Sequence, residues 1–280
     1  MISRRILPVL ALALLLPYAA YADYMTGFEG INASPGGTPL TGQDGFYIPD
    51  GTDSVDYLAY TYAGNALGLP ANPQGGDQFV AGTGPGSPTF ARGQRDFAWS
   101  DRDVWTVSYD FAGNFQGDGA SAQNLGSFST QSSTTDSGYI HLMTWADPAD
   151  PVNINAFFLA FEANGTAFPA PGASPGPEWE NLDINHWYHS ETVIDFATNQ
   201  ILEVSILDLE TQQGATFSPK DWFLRGGEAG GLPIPTAFRF FAGGGVAGNA
   251  LGFDNFSIVP EPTTALLLIA GGFLALRRRN

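Results

Sequence analysis

Glu178-Trp179-Glu180, with Asp183 three residues on, is the stretch of this 280-residue chain best suited to do chemistry. Carboxyls at alternate positions of a strand share a face at roughly 6.6 Å. Two-carboxylate sugar hydrolysis needs about 5–5.5 Å for retention or 6.5–9.5 Å for inversion. Pro175-Gly176-Pro177 lies immediately upstream, however, and favours a loop over a strand. The histidines offer less. His186 and His189 would point to opposite faces of a strand and so could not easily share a metal, and His141 sits among apolar residues as a structural group. No Gly-x-Ser-x-Gly elbow is present, and Gly82-Thr83-Gly84-Pro85-Gly86 has neither the lysine nor the helix of a phosphate loop. No catalytic residue is assigned. The chain reads as non-enzymatic, structural or glycan-binding, with a secreted glycan hydrolase of the jelly-roll type as the rival.

Binding chemistry has more candidates. Trp99, Trp145, Trp179 and Trp222 lie near loops, where indoles serve as stacking platforms for sugars; burial in a large β core is the competing fate. Asp254 alternates with Phe256 and Ile258 on one strand face. A carboxylate there must be paired, hydrogen-bonded or metal-bound.

Strands must position these groups, because period-two alternation recurs and helical periodicity is scarce. Trp105, Val107, Tyr109 and Phe111 share one face of a strand from Val104 to Phe111. Ile154 to Glu162 is apolar on both faces and reads as an interior strand. Trp187–Phe196 and Ile201–Leu209 form a hairpin around Ala197-Thr198-Asn199-Gln200, and Phe238–Phe241 and Phe253–Ile258 supply the last strands. Glycine and proline are spread through the turns between them. The expected fold is all-β, a jelly-roll-type antiparallel β-sandwich spanning residues 23–258. An N-terminal signal helix and a short C-terminal hydrophobic helix flank it.

Both ends carry address features. Arg4-Arg5, an apolar run from Ile6 to Leu16 and small residues at Ala20-Tyr21-Ala22 make residues 1–22 a secretory signal peptide. At the other end, residues 259–280 hold Pro260-Glu261-Pro262, an uncharged stretch from Ala265 to Leu276, and Arg277-Arg278-Arg279. Twelve helical residues reach about 18 Å, short of a hydrocarbon core of about 30 Å. The arginines favour a cytoplasmic C-terminus. The body between has six basic and 27 acidic residues, a net −21, and no cysteine. That charge argues against nucleic acid and anionic membranes as partners.

The C-terminal pattern closely resembles the PEP-CTERM sorting signal of Gram-negative bacteria. That resemblance implies export through Sec-type machinery and a transient inner-membrane anchor. An exosortase-like membrane transpeptidase would then recognise Pro260-Glu261-Pro262 and release the body to the cell surface or an extracellular polysaccharide matrix. Scattered motifs in the body, Gly27-Phe28-Glu29, Leu40 to Phe46, Trp187-Tyr188-His189 and Gly252 to Phe256, resemble jelly-roll domains of the concanavalin and laminin-G type. A galactose-binding type of jelly roll is the competitor. The resemblance implies a structural calcium joining first and last strands through Glu29 and Asp254; the alternative is a turn-capping Asp254 and a solvated Glu29.

Overall fold

The computed structural model describes residues 24–260 except 50–53, 85–89, 97–103, 115–122, 132–135, 146–152, 185, 231–234 and 244–247. Two β-sheets account for nearly all regular structure there. The first runs β15 (Gly214–Phe217), β14 (Gln200–Asp208), β13 (Tyr188–Asp195), β8 (Val104–Asn114) and β17 (Ala250–Pro260). It continues through β6 (Gln78–Thr83), β5 (Leu58–Thr61) and β2 (Thr38–Pro39), while β1 (Tyr24–Thr26) pairs with β17 off that path. The second runs β12 (Leu182–Asp183), β11 (Asn153–Phe158), β10 (Asp136–Trp145), β9 (Gln123–Gln131), β16 (Ala237–Ala242), β7 (Phe90–Asp96) and β3 (Phe46–Tyr47). All these pairings are antiparallel except that of β4 (Ser54–Asp56), which lies parallel to β7.

The sheets face each other across one core. Trp105, Val107, Tyr109 and Phe111 are fully buried, so the alternation in β8 sends every second side chain inward. Aromatic rings cross the interface: Tyr109 meets Phe128 at 4.8 Å, Phe253 meets Phe240 at 4.8 Å, and Phe256 meets Phe238 at 4.3 Å between centroids. Each such burial stabilises the fold by roughly 1.5–3 kcal/mol.

The last strand is central. β17 pairs with β8 along its whole length, from Ala250 opposite Asn114 to Pro260 opposite Trp105. On its other side it pairs first with β6 and then, beyond a bulge, with β1. The bulge falls between Asp254 and Ser257, with Asn255 at φ 45°. It marks the change of partner. The sandwich thus reaches two residues past the expected boundary at 258, and the first proline of the Pro-Glu-Pro motif is a buried strand residue.

The hairpin forms as expected, Asp195 facing Gln200, with a bulge at Val193/Ile194. The segment from Ile154 differs. It is a strand only to Phe158 and lies second from the edge, beside the two-residue β12. Beyond Phe158 the Leu159 N–H still reaches the Ile140 carbonyl of β10 at 2.9 Å, and then Phe161 exchanges bonds with Phe223 in a loop.

A second, smaller apolar cluster covers the outer face of the first sheet. Segment 62–77 folds over Phe79, Ala81 and Ala112, bringing Tyr62, Leu67 and Leu69 against Phe79 and Trp187. The Trp187 indole N–H donates to the Pro70 carbonyl at 2.8 Å.

Candidate functional site

Two turns at the rim of the sandwich build an open cleft. β1 leads into Gly27-Phe28-Glu29, where Phe28 takes a left-handed φ of 61° and drops its ring into the core. The second turn, Gly42 to Gly45, holds Asp44 at φ 44° and delivers Phe46, whose ring lies 6.4 Å from that of Phe28. Gln43 ties the turns together. Its Oε1 accepts the Asn32 backbone N–H at 2.6 Å, and its Nε2 donates to the carbonyls of Pro39 at 2.6 Å and Asn32 at 3.2 Å.

The cleft between them has a volume of about 520 Å³ and is lined by Thr26, Gly30, Ile31, Asn32, Gly42, Gln43 and Asp44. Asp44 is fixed from behind: Tyr24 donates its hydroxyl to Oδ2 at 2.5 Å, and Arg95 lies 3.5 Å from Oδ1. Arg95 also sits 4.0 Å over the Tyr24 ring. Burial, then the Asp44 carboxylate, raises the Tyr24 phenol well above its ordinary range. The side chains of Asn32 and Asp44 remain exposed to the cleft. Of the motifs that carried the sequence resemblance, residues 40–46 supply Gly42, Gln43 and Asp44 to this cleft, while residues 27–29 lie between its lining residues Thr26 and Gly30.

Asp254 sits elsewhere, in a buried polar row on the outer face of the first sheet. It lies directly opposite Asp110 on β8, which lies opposite His189 on β13. Asp254 Oδ2 accepts the Tyr62 hydroxyl at 2.7 Å and Asn72 Nδ2 at 3.3 Å, while Oδ1 accepts the Asn255 N–H at 2.7 Å. Asp110 Oδ2 accepts Asn72 Nδ2 and Asn255 Nδ2, both at 2.7 Å, and its Oδ1 pairs with His189 Nδ1 at 2.6 Å. Burial pushes Asp254 up to about 7, with the nearby Asp110 charge adding to it. The hydrogen bond to Asp110 raises His189.

Glu29 does not join this row. Its Oε1 accepts the backbone N–H groups of Asp77 at 2.8 Å and Gln78 at 3.2 Å. A side chain on Gly75 would collide with Asp254, and one on Gly76 with Glu29, so that glycine pair fits closely under both carboxylates. The donors facing Asp254 and Asp110 are amide, backbone and imidazole N–H groups and a phenol. Asn72 turns its carbonyl oxygen away, to the Gln74 N–H at 2.9 Å. A donor-lined site neutralises carboxylates by hydrogen bonds and does not fit calcium, which requires six to eight converging oxygens. Asp254 also faces away from Phe256 and Ile258, because the bulge inserts a residue between them.

The tryptophan expectation needs correction. Trp179 and Trp222 are buried, at 1 % and 5 % exposure, and pack in the main core; neither can stack on a sugar. Trp99 lies outside the described residues, as does the side chain of Trp145. The Glu178-Trp179-Glu180 stretch is a 3₁₀ turn, Pro177–Trp179. Its two glutamates are exposed, and Glu180 accepts the Ser174 hydroxyl at 2.8 Å. The expected loop is observed.

His186 and His189 divide as their spacing implied, each taking its own carboxylate. His141 is buried, stacked on Phe158 at 4.3 Å and hydrogen-bonded through Nδ1 to the Tyr109 hydroxyl. His186 precedes β13 and pairs through Nδ1 with Asp208 Oδ2 at 2.8 Å, beside Glu210. This last grouping was missed, although extending the hairpin register past Tyr188 opposite Asp208 places His186 beside residue 210. Residues 1–23 and 261–280 lie outside the described residues, including Glu261, Pro262, Arg277, Arg278 and Arg279. Among the described residues no helix is long and apolar enough to cross a membrane.

No family model and no curated protein matches the chain. Among solved structures, it is similar to the carbohydrate esterase vb_24B_21 of the Shiga toxin-encoding bacteriophage phi24B. Identity is 9 % and the TM-score 0.47, over 81 % of this chain and 98 % of that one. It is also similar to the CBM2 module of the evolved Dit protein of Lactobacillus casei BL23 phage J-1, at 9 % identity and TM-score 0.46, over 86 % and 96 %. Peanut lectin follows at 12 % identity and TM-score 0.37, over 73 % and 97 %. With every score below 0.5, these likenesses decide neither ligand nor activity.

Proposed function

We propose that this chain is a non-catalytic glycan-binding protein of the jelly-roll type, exported to the bacterial envelope or its polysaccharide matrix. The observation that carries the reading is the rim cleft of about 520 Å³. That volume falls within the range of about 300–1,000 Å³ usual for small-molecule sites. Its open shape suits an extended polymer, and its exposed polar groups, the Asn32 amide and Asp44 carboxylate, suit sugar hydroxyls. Tyr24 and Arg95 fix the carboxylate from behind, and Gln43 fixes the Asn32 backbone. Binding without hydrolysis is favoured because Glu178 and Glu180 flank a buried tryptophan on a 3₁₀ turn instead of converging on a cleft.

The route rests on the terminal sequences: Sec-type export, recognition of Pro260-Glu261-Pro262 by an exosortase-like enzyme, and loss of the segment ending in Arg277–Arg279. Mass spectrometry of surface-recovered protein tests it, and an intact arginine terminus would refute processing. A glycan array probed with the full chain, followed by product analysis on each retained polysaccharide, tests the activity. Retention without product is expected, whereas turnover lost in Glu180→Gln would establish a hydrolase.

A further inference from the structure

We propose that His186, Asp208 and Glu210 form a binding site for one divalent transition-metal ion, which clips the start of β13 to the β14–β15 turn. One candidate ligand atom from each residue lies within 4.8 Å of the other two. Ligands at 2.0–2.1 Å from a tetrahedral zinc are about 3.3 Å apart, so small side-chain rotations close the set. His186 and Asp208 are partly exposed and Glu210 is exposed, so an ion from solvent can reach all three.

The backbone already orients the carboxylates. Asp208 Oδ1 accepts the N–H groups of Glu210 at 2.9 Å and Thr211 at 3.0 Å, which aims Oδ2 at His186. Glu210 Oε2 accepts the Trp187 N–H at 3.1 Å and leaves Oε1 for a ligand. Outer contacts of this kind hold metal ligands in place. The charges bearing on His186 come from Asp208, Glu210 and Asp183, all of one sign. An imidazole among carboxylates selects zinc, copper or manganese over calcium, whose ligands are all oxygen. Three protein ligands leave a position for water or a ligand oxygen. In a chain without cysteine, such an ion would supply the cross-link that a disulfide supplies elsewhere.

Isothermal titration of the full chain, stripped with EDTA, with zinc chloride tests the site; manganese followed by electron paramagnetic resonance gives a second readout. One saturable site of micromolar affinity or tighter is expected. His186→Gln and Glu210→Gln should each weaken it by at least about tenfold, while Glu178→Gln/Glu180→Gln leaves it unchanged. Zinc should raise the Tm of wild type and not of Glu210→Gln, a variant that keeps the Asp208 turn bonds and so separates metal loss from turn loss. No saturable binding up to millimolar zinc would overturn the proposal. So would isotherms that are the same in wild type and all variants, the mark of diffuse binding to an acidic surface.

Discussion

Lowering the pH should weaken the contribution of His141 to stability, and the effect can be isolated against His141→Phe. The imidazole is buried between the sheets, and burial pulls its pKa from 6.5 to about 3. Between those values the unfolded chain binds a proton that the native state refuses. Stability therefore falls as pH drops below about 6.5, and the slope ends near 3. At 1.36 kcal/mol per unit, the loss is about 2 kcal/mol by pH 5 and roughly 3.4 kcal/mol by pH 4. Phenylalanine keeps the stack on Phe158 and the contacts with Tyr109 and Phe111. It removes the Tyr109–His141 hydrogen bond at a cost of about 0.5–1.5 kcal/mol, but that cost does not vary with pH. Urea unfolding followed by tryptophan fluorescence at pH 7, 6 and 5 gives the difference between the two proteins. Other titrating groups cancel in that difference. The wild type's advantage should shrink by about 2 kcal/mol from pH 7 to 5, and a difference that stays flat would refute the reasoning.

Asp254 should act with the opposite sign. Its folded pKa of about 7 exceeds the ordinary 3.8, so its contribution is present at low pH and is lost as pH rises to 7. Wild type should lose roughly 4 kcal/mol relative to Asp254→Asn between pH 4 and 8, measured by the same urea series. Trp179→Ala should cost about 3–5 kcal/mol in that assay and leave glycan retention by the folded fraction unchanged, because the indole is core. Gly76→Ala should displace the Glu29 carboxylate from the Asp77 and Gln78 N–H groups and cost about 1–3 kcal/mol.

How far the sequence reaches can be seen strand by strand. β8 was legible because from Val104 to Tyr109 one face meets the core and the other is half-exposed, so its alternation there is clean, while beyond Tyr109 both faces are covered. The 188–208 hairpin was legible because Asp195 and Asn199 announce its turn, Asp195 Oδ1 accepting the Ala197 N–H at 2.9 Å. Asp254 was misread because period two fails at a bulge, and a bulge here follows from the change of partner strand from β6 to β1, which no local pattern records. Proximity to loops misled for Trp179 and Trp222, since a turn can lie on the surface while its indole points inward. The cleft was legible only as motifs. Residues 40–46 stood out as sequence, but Asn32, held across from them by the Gln43 side chain, belonged to no motif.

The central claim is that the cleft holds a glycan without cleaving it. Its most direct test is the dissociation constant of the full chain for its best array ligand, measured by titration for wild type, Asn32→Ala and Asp44→Asn. Each substitution removes one or two hydrogen bonds, or a charge-assisted one, from the exposed lining and should weaken binding by roughly tenfold, with the unfolding free energy of Asn32→Ala unchanged within about 0.5 kcal/mol. Affinity that is the same in all three proteins would place the ligand elsewhere and contradict the account.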